Sequence, residues 1–396
     1  MKVYVAGLGV ASALGVGVKS NYDALISKNH GIRSLSNEID PYLENFPIAR
    51  INLDDKALSA MVGVRSRMPR TALLSMLAAS EALSQSGLST QQYRSGFISA
   101  TTVGGMDLTE QYFLSQHQGG SKLGIRNIRN HECGRATHLA AEFLKVNSYV
   151  STINTACSSS ANSIMLGARL IKDGRLDIVI AGGADALTAF TLNGFNTLLL
   201  LDNDLCKPFD AQRKGLNLGE GAGYVVLVSE KLVQSGKVKA IASLSGYANS
   251  NDAYHQTALS PEGNGPFLSM SGALKEAQIN PNQVDYINLH GTATPNNDAS
   301  EGSAIARLFQ DRIPSLSSTK SFTGHTLGAS GGIEAVYSIL AINHDVILPN
   351  LRYNTPMTEV AVTPAADVEY RPVNHVLSSS FGFGGNCTSL LFSKAN

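Results

Sequence analysis

The stretch 151-STINTACSSSANSIMLGARL-170 decides how the fold is read. It opens as a strand, turns through small residues, and continues as a helix with Ala161, Ile164, Met165 and Ala168 on one face. One cysteine, Cys157, sits at the turn. A helix start favours a thiolate through its free N–H groups and dipole, and the same N–H groups can hold an oxyanion. Cysteine is also among the most buried residue types. Taken alone, the segment leaves a nucleophile and a gap-filling thiol equally open.

A second strand–turn–helix unit echoes it at 316-LSSTKSFTGHTLGASGGIEAVYSIL-340, where Ile333, Val336, Tyr337 and Leu340 share a face. His325 stands where Cys157 stands in the first unit. The echo suggests a duplicated fold. Working outward, strands and helices alternate. "KVYVAGLG", "SGFISATTVG" and "LDIVIAGGAD" read as strands, and "RTALLSMLAASEALSQSG" reads as a helix with Leu73, Met76, Leu77 and Leu83 on its face, stopped by Gly87. The pattern predicts an α/β protein with buried, largely parallel strands. The two halves divide at 1–235 and 236–396, with no low-complexity linker between them, so they are expected to pack as one body.

Of the 396 residues, 43% are hydrophobic and 16% charged, enough for a large core. Lys and Arg total 31, as do Asp and Glu, and zero net charge argues against a general nucleic-acid binder. The four cysteines form no CxxC pair and no disulfide framework, which fits a reducing compartment and argues against a zinc site. Glycines interrupt the apolar N-terminus, so it reads as a strand and turn rather than a signal peptide. No apolar run reaches membrane-spanning length. A cytoplasmic protein that does not enter the membrane is expected.

Three further segments carry chemistry. In 287-INLHGTATPNNDASE-301, His290 ends a buried strand, where open α/β sheets place ligands, and Asp298 and Glu301 have capping-box spacing for the next helix. A hydrogen-bonded core histidine is the plainer reading of that segment alone. In 316–340, Lys320 follows a strand with few charges and is expected to pair with Glu334. In 378-SSSFGFGGNCTS-389, the glycines around Phe383 can present backbone N–H groups, or can simply make a tight turn. Two decoys are set aside. "GLGVAS" at 7–12 has Ser12 where a dinucleotide fingerprint needs Gly or Ala, and "CKPFDAQRKGLNLGEGAG" at 206–223 reads as an ordered structural loop.

The order and spacing of "NTACSSS", "HGTATPNND", "TKSFTGHTLGASGGIEA" and "FGFGG" resemble the β-ketoacyl-[acyl-carrier-protein] synthases of the class I/II type, over essentially the whole chain. The resemblance implies a thiolase-like fold: two similar βαβα halves forming a layered αβαβα core. It implies a catalytic set of Cys157, His290 and His325, with Lys320 and Glu334 in support. Phe383 matches a gating and oxyanion position. Thr292 and Thr294 match pantetheine-binding threonines, and Thr257 in "NDAYHQT" resembles a third. The implied reaction is decarboxylative condensation of an acyl-cysteine with a malonyl thioester. It needs no metal or redox cofactor, since the substrates ride on the phosphopantetheine of an acyl carrier protein. The implied assembly is a homodimer, or a heterodimer with a related subunit. An acidic carrier needs a basic dock, for which 64-VRSRMPR-70 offers Arg65, Arg67 and Arg70; 121-SKLGIRNIRN-130 also holds Lys122, Arg126 and Arg129, which read more simply as ordinary solvated charges.

"TACSSS" departs from the "ACAT" common in housekeeping fatty-acid enzymes and leans towards polyketide or aryl polyene assembly. Two rivals are a degradative thiolase, with Cys387 as second cysteine, and a non-catalytic chain-length partner subunit. The first would need that cysteine before a glycine turn rather than after it. The second would lack the nucleophile. A priming-class condensing enzyme, with a Cys-His-Asn set, fits "GTATP" and "TKSFTGH" poorly.

Overall fold

The computed structural model describes residues 1–34, 39, 46–117, 124–146, 148–310 and 312–395. Ten strands carry the architecture: β1 Val3–Ser12, β2 Ser95–Ala100, β3 Tyr149–Ile153, β4 Ile178–Asp185, β5 Gly221–Ser229, β6 Ala242–Asn251, β7 Tyr286–Asn288, β8 Ser315–Ser317, β9 His375–Phe381 and β10 Asn386–Ser393. The first five lie side by side as β3-β2-β4-β5-β1, and the second five repeat that order as β8-β7-β9-β10-β6. The pairings repeat too. β2 is parallel to β3 and β4, as β7 is to β8 and β9, and the last two strands of each half run antiparallel to their neighbours. The strands are therefore mixed rather than largely parallel, because β1, β5, β6 and β10 all pair antiparallel. A short β1–β6 ladder, Val3 to Val5 against Ala242 to Leu244, joins the halves.

The longer helices that fill the layers and flank the site include α1 Arg70–Ser86, α2 Met106–His117, α3 Cys133–Phe143, α4 Ser159–Lys172, α5 Ala189–Thr197, α6 Asn264–Ala277, α7 Pro295–Phe309 and α8 Ser330–Asn343. Helices α4 and α8 leave the ends of β3 and β8 and form the middle layer, where Ile164, Met165, Ile333, Val336 and Leu340 share one apolar core. Residues 330–342 of α8 are all buried, including Glu334. A helix covered on all sides needs small and apolar residues all round, which "SGGIEAVYSILAI" supplies. This is the five-layer thiolase-like fold that the resemblance implied.

Helix α1 packs differently from its expected face. Leu73 and Met76 are buried, but Leu77 and Leu83 are only partly so, and Ala72, Ala78, Ala79 and Ala82 take the contact. Gly7 and Gly9 of β1 are the cause. A Cβ on either would stand within about 2.0 Å of the Ala82 or Ala78 carbonyl oxygen, so helix and strand approach through small residues.

Arg70, expected on a docking surface, is instead buried at the start of α1. Its guanidinium grips Glu220 through Nε (2.9 Å) and NH2 (2.6 Å) and reaches Asp55 at 2.8 Å. Glu220 also accepts from the backbone N–H groups of Ile51 and Leu187. Breaking a buried ion pair leaves an uncompensated charge. Arg70→Met is therefore expected to lower unfolding free energy by about 3–5 kcal/mol, read as a fall in the denaturant midpoint.

Candidate active site

Ala156 adopts a left-handed backbone (φ 54°) between β3 and α4. That kink lifts Cys157 to the apex of the turn one residue before the helix cap, Ser158. Ser159 locks the turn: its Oγ accepts from Thr155 N–H at 2.8 Å and donates to the Ala156 carbonyl. The thiol is 6% exposed. Burial pushes it up to about 11, against the Lys320 charge and the N–H groups of Phe383 and Cys157 itself, which pull it down. Burial thus favours the neutral thiol over the thiolate that a helix start favours.

The Phe383 turn comes from the other half and presses directly on this one. A Cβ at Gly382 would lie 2.6 Å from the Thr155 carbonyl oxygen. The Phe383 ring stacks on Phe195 of α5 with centroids 5.6 Å apart.

His290 follows β7. Its backbone N–H and that of Gly291 donate to the two oxygens of Glu301, each at 2.8 Å. Glu301 thus holds the histidine turn instead of capping α7, whose N-cap Thr294 makes no side-chain cap bond. Asp298, the other expected capping residue, accepts from the N–H groups of Ala293 and Phe209.

His325 is fixed from the loop at 206–223: its N–H donates to the Asn217 carbonyl (2.8 Å), and its own carbonyl accepts from Gly219 (2.9 Å). Beyond it, buried Asp185 accepts from Gly328 N–H as well as from Thr101, Thr102 and Val103. The two imidazoles stand edge to face, 5.5 Å between centroids.

Lys320 is buried and pairs with Glu334. Its Nζ also lies 3.3 Å from His290 Nδ1. Burial first, and then the Lys320 charge, hold both imidazoles well below their ordinary value of 6.5. Both rings are therefore neutral, and their tautomers follow from their neighbours. An ammonium only donates, so His290 Nδ1 accepts and Nε2 carries the proton. Leu327 N–H donates to His325 Nδ1 (3.2 Å), so Nε2 carries the proton there too.

Cys157, His290, His325, Phe383, Thr257, Thr292 and Thr294 all line one cleft of about 290 Å³, with Lys320 and Glu334 packed behind His290. Thr292 and Thr294 hydroxyls are 2.9 Å apart, whereas Thr257 sits exposed on the rim. Arg65 and Arg67 are exposed, and Arg67 donates to Gln111 of α2. Arg126 and Arg129 are exposed as well, whereas Lys122 lies outside the described residues. Cys387 is buried and packs on Leu259 and Phe381, the apolar backing of the cleft wall. Sequence reasoning missed the supports: Glu301's grip on the His290 turn, Asp185, Asn217 and Ser330, whose hydroxyl lies 3.0 Å from His325 Nδ1.

Comparison with known proteins gives the same picture over the whole chain. Residues 1–232 match the family model for the beta-ketoacyl synthase N-terminal domain and 241–354 that for its C-terminal domain. The chain is 31% identical to 3-oxoacyl-[acyl-carrier-protein] synthase 2 of Staphylococcus aureus (strain MRSA252), covering 100% of this chain and 98% of that one. Among solved structures, the ishigamide ketosynthase/chain length factor matches at TM-score 0.92 and 26% identity, over 100% of this chain and 99% of that one. The AntDE:AntF structure, a type II PKS acyl-carrier protein in complex with its ketosynthase, matches at TM-score 0.89 and 26% identity, over 100% and 99%. With both halves matched and a relative aligned end to end, the chain belongs to the β-ketoacyl synthase family, the condensing acyltransferases of the thiolase-like fold.

Proposed function

We propose that the protein joins an acyl group carried on Cys157 to a malonyl unit carried on acyl carrier protein, releasing CO₂ and a β-ketoacyl thioester two carbons longer. Cys157 Sγ attacks the acyl thioester, and its proton ends on the departing pantetheine thiol. The N–H groups of Cys157 and Phe383 hold the tetrahedral oxyanion. When the malonyl thioester loses CO₂, its enolate oxygen takes hydrogen bonds from Nε2–H of His290 and of His325. The enolate carbon then attacks the acyl-Cys157 carbonyl, the acyl C–S bond breaks as the tetrahedral adduct collapses, and the released Cys157 thiolate takes a proton from water. Lys320, paired with Glu334, keeps a proton off Nδ1 of His290. Thr257, Thr292 and Thr294 line the path of the pantetheine arm, and Phe383 gates the acyl chain. This chemistry calls for no metal or redox cofactor.

The observation that carries the reading is the pair of neutral imidazoles, each with Nδ1 engaged by a donor, facing one cleft with the thiol. Two N–H donors beside a nucleophile suit an enolate and an acyl-enzyme together. A non-catalytic chain-length subunit would need neither. The direct experiment supplies an acyl carrier and then malonyl carrier, and looks for the 3-oxoacyl product by mass. Absence of product from an acylated enzyme would overturn the reading.

The working unit is a dimer, with a second copy or a related subunit. Two features support this. Among the described residues the edge strand β3 has a neighbour on one side only, and Phe113, Leu114, Ile125, Phe190 and Leu199 are exposed. The carrier docks on the exposed pair Arg65 and Arg67. Arg65→Glu with Arg67→Glu is expected to raise KM for the carrier-bound substrate about tenfold or more, with kcat for a pantetheine-only substrate unchanged. Unchanged kinetics with the carrier would remove the dock.

A further inference from the structure

We propose that Asn386 is a positioning residue that holds the two oxyanion donors in register; the proposal rests on the acyl-cysteine reading above. Those donors belong to different halves. The Cys157 N–H lies on the turn into α4, and the Phe383 N–H lies on the turn between β9 and β10. No covalent connection near the site fixes one against the other.

Asn386 grips both turns. Its backbone carbonyl accepts from Gly382 N–H at 2.8 Å, closing the turn that carries Phe383. Its side-chain oxygen faces the other half, where Asn162 Nδ2 of α4 donates to it at 2.9 Å and Ser158 Oγ lies 2.8 Å away. Ser158 directly follows the nucleophile and shares its one proton with the Thr155 carbonyl, also at 2.8 Å. The Asn162 amide donates in addition to Thr155 Oγ1 at 2.8 Å, so it ties the nucleophile turn to Asn386. A third donor, Asn249 Nδ2 of β6, reaches the same oxygen at 2.8 Å.

One carboxamide oxygen thus collects donors from α4, from β6 and from the residue after Cys157, while the same residue's backbone shapes the Phe383 turn. A carboxamide oxygen has two lone pairs with which to accept, and adds no charge next to a developing oxyanion. An alanine would free Ser158 from the second half and leave Asn162 tied to it only through its own oxygen, which accepts from Thr388 Oγ1 (3.0 Å) and Asn249 Nδ2 (3.2 Å), so the spacing of the two N–H donors would rest on fewer contacts. Oxyanion stabilisation depends steeply on such placement.

The test compares two reactions of the same thiol. In acylation by hexanoyl-pantetheine, a bond forms from Cys157 Sγ to the carbonyl carbon, the bond to the pantetheine sulfur breaks, and the proton leaves on that sulfur. An oxyanion develops on the way. Alkylation by iodoacetamide displaces iodide and develops none.

For Asn386→Ala, the single-turnover acylation rate is expected to fall about tenfold or more, with half-saturation and alkylation rate each within about twofold of the unsubstituted enzyme. Equal losses in both reactions would make Asn386 a determinant of thiol reactivity alone and overturn the proposal. So would no loss in either. Should Asn386→Ala fail to fold, Ser158→Ala and Asn249→Ala each remove one donor. A selective fall in acylation of about threefold supports the proposal, and parallel behaviour of the two reactions contradicts it. An unsubstituted enzyme that is alkylated at Cys157 but never acylated would overturn the acyl-cysteine reading itself, a distinct result.

Discussion

Cys157→Gln is expected to abolish condensation, by about four orders of magnitude or more, while malonyl decarboxylation persists. The two activities separate because they use different parts of the site. Condensation needs a sulfur that can take the acyl group. Decarboxylation needs two N–H donors on the enolate oxygen, a role proposed for His290 and His325, which stay in place, the first backed by Lys320 and the second held by the 206–223 loop. The glutamine carboxamide has the length to put its own oxygen towards the Cys157 and Phe383 N–H groups, as an acyl-cysteine carbonyl would. The assay follows CO₂ release and chain-elongated product side by side. Elongation by this variant would show that another group is the nucleophile.

The second large effect concerns the imidazoles. Removing either by His290→Ala or His325→Ala is expected to slow decarboxylation about 10²–10³-fold, the loss typical of one oxyanion donor. The pH dependence follows from the same contacts. Burial and then Lys320 hold both rings below 6.5, so the neutral form prevails and the rate should stay level down to about pH 6.5. Replacing Lys320 removes a repulsion against protonation, so the folded-state values move up. The rate of Lys320→Met should then begin to fall at a higher pH than that of the unsubstituted enzyme. Because Glu334 would be left buried and unpaired, Lys320→Met with Glu334→Gln is the companion that keeps the pH profile readable if the single variant unfolds. A profile that shifts towards acid instead would contradict the assigned role.

Much of this was legible in the sequence because it is local. The turn around Cys157 and the echo around His325 are each one strand, one turn and one helix, and small residues mark both. The repeated strand order is the three-dimensional form of that echo. What the sequence hid depends on partners brought from far along the chain. Arg70 lies in a basic run that reads as surface, and only Glu220 beneath it makes it a buried anchor. Glu301 has the spacing of a helix cap, but the free N–H groups it meets belong to the His290 turn. Lys320 pairs with Glu334 as its segment suggested, but its contact with His290, thirty residues earlier in the chain, has no signal in the sequence. The Asn386 contact needs β6, β10 and α4 in one place, which no periodicity announces.

The central claim is that one thiol from the first half and two imidazoles from the second form a single reacting centre. Peptide-resolved mass spectrometry of the enzyme after incubation with acyl carrier, before and after malonyl carrier is added, tests it most directly. An acyl adduct is expected on the peptide holding Cys157, discharged by malonyl carrier and persisting when His290 and His325 are both replaced by alanine. An adduct on Cys133, Cys206 or Cys387 instead, or discharge that proceeds equally fast without the two histidines, would contradict it.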